Sequence, residues 1–373
     1  MSEMPGGLYI GLMSGTSMDG VDGVLIDFQR HPWQTRAHAH RPFPAELKAS
    51  LMALNSPGED EIHAAALAAQ DLTRLYAEVV ADVCQQAGIA ANAVQAIGAH
   101  GQTIRHRPEC GYTVQLQAPA LLAELTSIDV VADFRSRDIA AGGQGAPLVP
   151  AFHSALLKSL QAEDAVVLNI GGIANISIIQ RDRPPLGFDC GPGNSLMDSW
   201  CERHTGAPYD AGGAWGATGQ HREAAVAQAL SHPYFMSPPP KSTGRDLFNE
   251  VWLQNWLTAC GLHHAPAHDI QASLCEITAR SIAMAIQMHA SACSQVIVCG
   301  GGAFNQALMQ RIERHLPGIQ VVPSDAIGLP VMQMEAAAFA WLAYRHVHRL
   351  PANEPTVTGA RGPRVLGALY PAG

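Results

Sequence analysis

The chain has 373 residues, of which 47% are hydrophobic and 15% are charged, and its formal net charge is −9. Because it carries no long basic run and lysine occurs only at positions 48, 158 and 241, we expect neither nucleic acid nor an anionic membrane as a partner. The eight cysteines show no CxxC spacing and no apolar segment is long enough to span a bilayer, so we expect a cytoplasmic protein with reduced thiols.

Hydrophobic periodicity and the positions of glycine and proline predict alternating strands and helices in the first part of the chain. In chain order, the pattern predicts strands at 8–13, 21–28 and 34–43, a long helix at 60–88, strands at 94–101, 112–117 and 129–134 with a short helix at 120–126 between the last two, and a helix that begins at the prolines 147 and 150. A strand–glycine–strand unit opens this series, and its turn reads SGTSMDG.

The same unit recurs near residue 165, where predicted strands at 165–170 and 175–180 flank two glycines. After it, the pattern predicts helices at 195–206, 269–292 and 334–347, strands at 294–299 and 319–324, and a least regular stretch at 206–249. Alternating strands and helices predict an α/β protein, here with two related lobes. We place the first lobe at 1–135 and the second at 136–373, with the closing helix 334–347 as a segment that can return to the first lobe.

Three glycine-rich sites follow apolar strands, at 11–20, 171–172 and 300–302. Glycine lets backbone N–H groups approach an anion closely, and Thr16 and Ser17 add hydroxyl donors. Asp19 and Asp22 repel phosphate but are suited to a hydrated Mg²⁺ that bridges to it. One such loop alone is more often a tight turn; three of them at strand ends favour a site for the phosphates of a magnesium nucleotide.

Other nucleotide and catalytic motifs are not found. The sequence has no GxxxxGK[ST], its GGGAFN does not match GxGxxG, and the spacing GxxSG around Ser14 is one residue away from a nucleophile elbow. His264 and His268 have helical spacing, but Pro266 lies between them, so we do not expect a helical metal pair.

Several motifs, in order along the chain, resemble those of the anhydro-N-acetylmuramic acid kinases in the actin, Hsp70 and sugar-kinase superfamily. They are MSGTSMDGVD, GAHGQTIRH, ADFRSRDIAAGGQGAPLVP, NIGGIANIS, GFDCGPGN, KSTGR and VIVCGGGAFN. The resemblance implies an actin/Hsp70/hexokinase-like fold with a mixed, helix-flanked β-sheet in each lobe. It also implies a kinase that uses ATP and Mg²⁺, opens 1,6-anhydro-N-acetylmuramic acid with water and phosphorylates O6. The product is N-acetylmuramic acid 6-phosphate, in peptidoglycan recycling, and a homodimer is expected.

The same resemblance assigns candidate site residues. Asp189 matches the catalytic aspartate and Glu335 lies at the sugar, where it helps to orient water, although their positions alone equally fit a turn aspartate and a helix-start glutamate. The candidate substrate-binding residues are Ser14, His100, Gln102 and Arg135. The candidate nucleotide-binding residues are Gly15, Thr16, Ser17, Met18, Asp19, Gly20, Val21, Asp22, Gly171, Gly172, Gly300, Gly301, Gly302 and Asn305, with Asp19 and Asp22 as metal ligands.

Each of the remaining assignments has an ordinary structural alternative. Arg135 is suited to pair with the lactyl carboxylate of the substrate, but surface arginines are common. His100 is about equally expected to be a buried structural histidine, and Lys241 in KSTGR is by default a solvated lysine.

Other functions stay open as well. The alternatives are another ATP-dependent sugar kinase or an ATP-gated binding protein of the same fold, such as a chaperone or a nucleotide-sensing regulator. A chaperone needs a separate substrate-binding domain and a regulator a helix-turn-helix, and the sequence predicts neither. A hydrolase that works without nucleotide is disfavoured by the three glycine loops.

Overall fold

A computed structural model describes residues 7–15, 18–160, 162, 164–181, 183–239, 241–244 and 247–373. The chain forms two compact units, one of Met1–Gln161 with Ile327–Gly373 and the other of Ala162–Ala326. Each unit contains a mixed β-sheet with helices packed on it, which confirms the predicted two-lobed α/β fold. Within the described residues, no helix is long and apolar enough to cross a membrane.

The strands are, in chain order, β1 (Leu8–Met13), β2 (Gly20–Asp27), β3 (Thr35–Pro42), β4 (Val94–Ala99), β5 (Gln102–Arg107), β6 (Tyr112–Leu116), β7 (Val130–Ala132), β8 (Ala165–Ile170), β9 (Ile173–Ile179), β10 (Leu186–Pro192), β11 (Gln295–Cys299), β12 (Gln320–Pro323) and β13 (Ala368–Tyr370). The helices are α1 (Ala45–Ala53), α2 (Glu61–Ala87), α3 (Pro119–Thr126), α4 (Ser136–Ala140), α5 (Val149–Ser159), α6 (Ser195–Thr205), α7 (Glu223–Leu230), α8 (Pro233–Met236), α9 (Glu250–Ala259), α10 (Ala267–His289), α11 (Gln306–His315), α12 (Met334–Val347) and α13 (Pro355–Thr358). Most predicted elements are present within a few residues; the elements that were not predicted are β5, β10, β13, α1, α4, α7, α8, α9 and α13.

The two sheets share one arrangement of five strands. In the first unit the order is β13-β7-β4-β1-β2-β3, with β2 antiparallel to both β1 and β3, and with β1, β4 and β7 parallel. In the second unit the order is β10-β9-β8-β11-β12, with β8, β9 and β10 antiparallel and β8, β11 and β12 parallel. The loose repeat in the sequence therefore corresponds to a repeated topology, and both glycine turns join the first two strands of their sheet.

Helices cover both faces of the first sheet. Residues of α2 pack with Ile10 and Leu12 of β1 in one apolar cluster. On the opposite face, α12 lies against β1 and β4. It approaches so closely that a Cβ added to Gly11 would lie 1.8 Å from the carbonyl oxygen of Ala336. Glycine in these strands therefore sets the depth at which α12, and Glu335 near its start, is seated.

The division into units differs from the predicted boundary after residue 135. The chain stays in the first unit up to residue 161 because α5 packs on α12, with the rings of Phe152 and Trp341 6.0 Å apart. It returns to that unit at Ile327, and α12 forms over the predicted range 334–347. The segment after 326 therefore belongs with the first unit; it contains the closing helix 334–347, which we expected to be able to return to the first lobe although the rest of 136–373 was placed in the second.

Candidate functional site

The turn between β1 and β2 is anchored from below by buried polar groups. Ser14 is buried, and its Oγ lies 2.8 Å from the hydroxyl of Tyr76 and donates to the carbonyl oxygen of Gly101 at 3.2 Å. Met18 is buried with a positive φ of 55°, and Asp19 is exposed. The turn therefore presents Asp19 to solvent on a fixed base. Thr16 and Ser17, both predicted to bind nucleotide, lie outside the described residues.

Gly20 and Val21 belong to β2 and to the core. A Cβ on Gly20 would lie 2.3 Å from the carbonyl oxygen of Arg41 in β3. The Val21 side chain is fully buried in the apolar cluster of the first unit. Their side-chain positions serve packing in the sheet and the core, so the prediction that both bind nucleotide concerns their backbone groups and stays a prediction.

His100 and Arg135 form a hydrogen-bonded relay under the turn. The Nδ1 of His100 lies 3.1 Å from the carbonyl oxygen of Ser14, which only accepts, so Nδ1 carries the proton. Nε2 then accepts from Nη2 of Arg135 at 2.9 Å, and Nη1 of Arg135 donates to the carbonyl oxygen of Gly145 at 2.9 Å. Burial, with the charge of Arg135, lowers the pKa of His100 to about 3. His100 is therefore a neutral residue that orients Arg135.

Gln102 contributes an acceptor beside the same turn. It is fully buried, and its Nε2 donates to the carbonyl oxygen of Gly15 at 3.1 Å. Its Oε1 has no hydrogen-bond partner among the described residues. A buried amide oxygen without a partner costs free energy, so this atom is suited to accept from a hydroxyl or amide of a ligand.

Glu335, Arg135, Asp19 and Asp22 lie close enough to influence one another. Desolvation raises the pKa of Glu335, the Arg135 guanidinium opposes this, and the carboxylates of Asp22 and Asp19 raise it further. Burial lowers the pKa of Arg135 to about 10, and Glu335 opposes that shift. Residues that the sequence assigned separately to sugar, nucleotide and metal are therefore neighbours in the first unit.

Asp22 has two partners that the sequence analysis missed. Its Oδ1 lies 2.9 Å from Nε2 of His38 and 3.2 Å from Nδ1 of His40, and both histidines lie on β3, where the HxH spacing places them on one face. In the part of the chain that is described, no group of three or more histidine, cysteine and acidic residues is arranged to hold a metal ion. A Mg²⁺ ion that is bound together with a nucleotide needs only one or two carboxylates from the protein. Asp19 and Asp22 therefore fit such an ion, and they do not fit a metal ion that the protein holds by itself.

In the second unit, Asp189 lies at a bulge in β10. The pairing with β9 changes from Asp189 opposite Asn175 to Gly191 opposite Ala174, which leaves Cys190 as the extra residue. The position of Asp189 in the sequence fits a turn, but Asp189 is the fourth residue of the strand β10. Bulges turn side chains out of the regular alternation and are common beside active sites.

The segment 241–243 holds both the backbone and the carboxylate of Asp189. The backbone N–H of Thr243 donates to Oδ2 of Asp189 at 2.9 Å, and the N–H of Asp189 donates to the carbonyl oxygen of Lys241 at 3.2 Å. The Tyr234 hydroxyl donates to the carbonyl oxygen of Asp189 at 2.8 Å. Burial raises the pKa of Asp189, and the Thr243 N–H opposes this shift. We call Tyr234, Lys241 and Thr243 the Asp189 clamp.

Lys241 closes this clamp and is not a solvated lysine. Its Nζ donates to the carbonyl oxygens of Tyr234 and Phe235 at 3.1 Å each, and lies 4.9 Å from the centre of the Tyr234 ring and 5.6 Å from that of Phe188. The sequence singled out Lys241 because lysine is rare in this chain and because it opens the motif KSTGR, which also contains Thr243. Tyr234 carried no comparable signal.

The second and third glycine loops lie next to each other at the end of β8. The carbonyl oxygen of Gly171 accepts from the N–H of Asn194 at 2.8 Å, and Gly172 is exposed. Gly300 has a φ of 80°, and a Cβ there would lie 2.4 Å from Oδ1 of Asn169. A Cβ on Gly302 would lie 2.3 Å from the Ile170 side chain. Only glycine fits these last two positions, which supports a loop built for close approach.

Asn305 has a structural role at the end of the third loop. Its Oδ1 accepts from the N–H of Leu308 at 3.0 Å, which caps α11.

The predicted site residues are divided between the two units. The first unit contains Ser14, Asp19, Asp22, His100, Gln102, Arg135 and Glu335, and the second contains Asp189 and the loops 171–172 and 300–305.

Comparisons with known proteins extend over nearly the whole chain. The family model for anhydro-N-acetylmuramic acid kinase matches residues 7–372. Proteins named anhydro-N-acetylmuramic acid kinase are 56% identical in Cupriavidus metallidurans, covering 98% of this chain and 97% of that one, and 56% identical in Variovorax paradoxus, covering 99% and 100%. The Bordetella pertussis protein of the same name is 55% identical and covers 100% and 98%.

Two solved structures show weaker likeness. Component A of the Acidaminococcus fermentans (R)-2-hydroxyglutaryl-CoA dehydratase is 13% identical with a TM-score of 0.49, covering 90% of this chain and 96% of that one. A ROK family glucokinase from Streptomyces griseus, in complex with glucose and AMPPNP, is 14% identical with a TM-score of 0.43, covering 91% and 100%. The assignment of this chain rests on the sequence relatives and not on these structures.

Proposed function

The chain belongs to the anhydro-N-acetylmuramic acid kinase family, whose members phosphorylate this anhydro sugar with ATP, and we propose that Asp189 activates the water that opens the sugar. The observation that carries the proposal is the hydrogen bond from the Thr243 N–H to Oδ2 of Asp189, which fixes one carboxylate oxygen and leaves Oδ1 to bind water. Burial, which raises the pKa of Asp189, also makes it a stronger base.

The substrate dictates what the base does. In 1,6-anhydro-N-acetylmuramic acid O6 is bonded to C1 and carries no proton, so a base has nothing to remove from it. Asp189 takes a proton from water instead, and the water oxygen bonds to C1 as the C1–O6 bond breaks. O6 then bonds to the γ-phosphorus, ADP leaves, and the product is N-acetylmuramic acid 6-phosphate, in the recycling of cell-wall peptidoglycan.

Residues of the first unit bind and orient the sugar in this proposal. Arg135 pairs with the lactyl carboxylate, held in place by neutral His100 and by the carbonyl oxygen of Gly145. Gln102 accepts from the sugar through its unpartnered Oε1. Glu335 helps to orient water, and the Ser14 backbone fixes the proton on His100.

Backbone and carboxylate groups of the glycine loops serve the nucleotide. We assign the phosphates of ATP to the turn at 15–22 and to Gly171–Gly172, and its nucleoside to the loop 300–302. Asp19, with Asp22 beside it, would hold the Mg²⁺ of the nucleotide. When bound, that ion neutralises charge on the phosphoryl oxygens during transfer.

Two properties of the whole protein complete the proposal. We expect a cytoplasmic enzyme, because its second substrate is ATP and the structure contains free cysteines and no disulfide among the described residues. We expect a homodimer, as the family resemblance implies. Size-exclusion chromatography with light scattering should then give twice the chain mass of 39.5 kDa.

One assay tests the activity. The purified protein is incubated with ATP, Mg²⁺ and 1,6-anhydro-N-acetylmuramic acid, ADP release is followed by a coupled assay, and the product is identified by mass spectrometry. Stoichiometric ADP and N-acetylmuramic acid 6-phosphate are expected. Phosphorylation of N-acetylmuramic acid or glucose with no turnover of the anhydro sugar would instead indicate another sugar kinase, and ring opening without ADP would indicate a hydrolase.

A further inference from the structure

The start of α6 places Asp198 beside the loop 300–302. Asn194 precedes the helix and contacts this loop, since a Cβ on Gly302 would lie 3.2 Å from Oδ1 of Asn194. The N–H of Asp198 donates to the carbonyl oxygen of Asn194 at 2.8 Å, so Asp198 lies one turn later on the same side of the helix. Helical side chains lean towards the N-terminus, which directs the Asp198 carboxylate back towards the loop.

The carboxylate of Asp198 lacks a partner. It is half-buried, and the described residues provide neither a hydrogen-bond donor nor an ion pair for it. Burial, with the nearby negative charge of Asp210, raises the pKa of Asp198 to about 6. Holding an unpaired carboxylate in this position costs free energy, which a ligand with hydrogen-bond donors would offset.

Gln271 of α10 presents a second acceptor, beside Asp210. The side chain is 1% exposed, and its Nε2 lies 3.5 Å from Oδ2 of Asp210. Its Oε1 has no partner within the described residues. Asp210 itself is satisfied, because its two oxygens accept from the N–H groups of Trp215 at 2.9 Å and Gly216 at 2.8 Å. Gln271 contacts this fixed carboxylate, and Asp198 is close enough to feel its charge, so both unsatisfied acceptors belong to the surroundings of Asp210.

The charges and acceptor oxygens of Asp198, Asp210 and Gln271 indicate which kind of ligand they bind. A phosphate is excluded, because Asp198 and Asp210 both carry negative charge and would repel it. Vicinal hydroxyls supply two donors in one rigid group, which matches a carboxylate and an amide oxygen. On the far side, the loop 211–213 lies against Asn305, since a Cβ on Gly213 would lie 2.2 Å from Oδ1 of Asn305. Residues next to this cluster thus contact Gly302 and Asn305, at the C-terminal end of the loop to which we assign the nucleoside.

We propose that Asp198 and Gln271 form a subsite for the ribose hydroxyls of ATP. This inference rests on the proposed function, since it names the part of the nucleotide that these residues bind. The carboxylate of Asp198 accepts from one hydroxyl and Oε1 of Gln271 accepts from the other. The enzyme therefore discriminates against nucleotides that lack a ribose hydroxyl.

The test compares ATP with 2′-deoxy-ATP and 3′-deoxy-ATP in the wild type and in Asp198→Ala. Wild type should use at least one deoxy analogue with kcat/KM reduced roughly 10-fold or more relative to ATP, as expected for loss of a hydrogen bond to a charged group. Asp198→Ala should lower kcat/KM for ATP by roughly 10- to 100-fold, and should bring the ratio between ATP and that analogue close to one. The KM for the sugar should stay unchanged.

Glu202→Ala is the matched control, because Glu202 is exposed on α6 one turn after Asp198. It should leave all three nucleotides unaffected. Asp198→Asn removes the repulsion from Asp210 and should fold at least as well as wild type, with an intermediate ratio. Discrimination that survives in Asp198→Ala, or a wild type that treats the three nucleotides alike, would overturn the subsite.

Calorimetric binding of the same nucleotides, without sugar, separates this inference from the proposed function. If wild type binds ATP more tightly than the deoxy analogue and Asp198→Ala does not, the subsite stands even when no sugar is phosphorylated. If turnover is normal and the binding ratios are equal in both proteins, the kinase assignment stands and the subsite is wrong.

Discussion

The backbone N–H of Thr243 donates to Oδ2 of Asp189 over 2.9 Å, although 54 positions separate the two residues in the chain. A main-chain donor cannot rotate away as a side chain can, so one oxygen of the carboxylate is fixed. The same donor stabilises the charged form of Asp189 against the burial that raises its pKa. Position and basicity of the proposed catalytic base therefore depend on one segment, 241–243.

Replacing Asp189 by Asn should lower kcat by roughly 10²- to 10⁴-fold, because general-base catalysis contributes about that much. Ring opening and phosphorylation should fall together, since O6 becomes the acceptor only when it leaves C1. In ¹⁸O-labelled water, mass spectrometry should find the label at C1 of the product and none in the phosphate ester.

Asp189→Asn should still bind ATP, which calorimetry checks and which separates loss of the base from loss of the fold. Near-normal turnover in this variant would show that another residue is the base, and Glu335 would be the first to examine. Label in the phosphate would show that water attacks phosphorus.

Lys241→Met should shift the pH profile as well as the rate. Without the Nζ contacts to Tyr234 and Phe235, the segment that presents the Thr243 N–H loosens. Asp189 then loses the donor that lowers its pKa, so its pKa rises and the acidic limb of kcat/KM moves to higher pH. The measurement is kcat/KM from pH 4 to 9 in steps of about half a unit.

Two variants control this experiment. Lys158→Met removes an exposed lysine of α5 and should leave the profile unchanged. Lys241→Arg keeps a cation with several donors and should retain the wild-type acidic limb better than Lys241→Met does. A lower rate with an unshifted limb in Lys241→Met would mean that the clamp supports the fold without tuning Asp189.

Local patterns explain why much of the fold could be predicted. The strand–glycine–strand unit is a feature of adjacent residues, and α12 is an apolar helix whose range 334–347 was predicted correctly. β10 was missed because GFDCGPGN is rich in turn-forming residues, and pairing with β9 overrides that preference. The unit boundary was misplaced because the packing of α5 on α12 joins residues far apart in the chain.

The site was predictable only where a motif carried it. The glycine loops and Asp189 lie in such motifs, and Lys241 and Thr243 lie in KSTGR. The contact between Thr243 and Asp189 could not be predicted, because a backbone N–H that donates to a distant carboxylate has no sequence signature. Asp198 was not predicted as a site residue for a related reason. In the sequence it is an ordinary helix residue, and only the structure places it in the surroundings of Asp210, which Gln271 contacts.

Arg135→Met should reduce selectivity for the lactyl group. The experiment compares kcat/KM for two sugars, 1,6-anhydro-N-acetylmuramic acid and 1,6-anhydro-N-acetylglucosamine. The second sugar lacks the lactyl carboxylate. Loss of a bidentate ion pair should lower kcat/KM for the first sugar by roughly 10- to 100-fold and change the second much less. His100→Ala should give a smaller loss of the same kind, since His100 only orients Arg135. Equal losses for both sugars would contradict pairing with the lactyl group.

Asp19→Ala should weaken metal-dependent turnover more than it lowers the stability of the fold. Asp19 is exposed on the turn and is not part of the core, so the thermal midpoint should change little. The Mg²⁺ concentration needed for half-maximal turnover should rise several-fold, which a titration at fixed ATP measures. Glu46→Ala, in the first turn of α1, is a control at another acidic residue of the first unit. Wild-type turnover at low Mg²⁺ would show that Asp19 is not a ligand.

Gly11 and Gly98 are register partners in β1 and β4, and α12 rests on both. A Cβ would lie 1.8 Å from the carbonyl oxygen of Ala336 at Gly11, and 2.0 Å from that of Phe339 at Gly98. These contacts are with backbone atoms, so no side chain can rotate to relieve them. The whole of α12 would have to move away from the sheet.

Gly11→Ala should therefore destabilise the first unit by about 3 kcal/mol or more, at the upper end of what overpacking costs. Calorimetric unfolding should show a lower midpoint for one transition, because the second unit has its own sheet and core. Gly58→Ala is the matched control, since the nearest atom to its Cβ is 4.0 Å away. Activity should fall as well, because Glu335 lies in the first turn of α12. A Gly11→Ala protein as stable as wild type would mean that α12 is not seated on β1 as described.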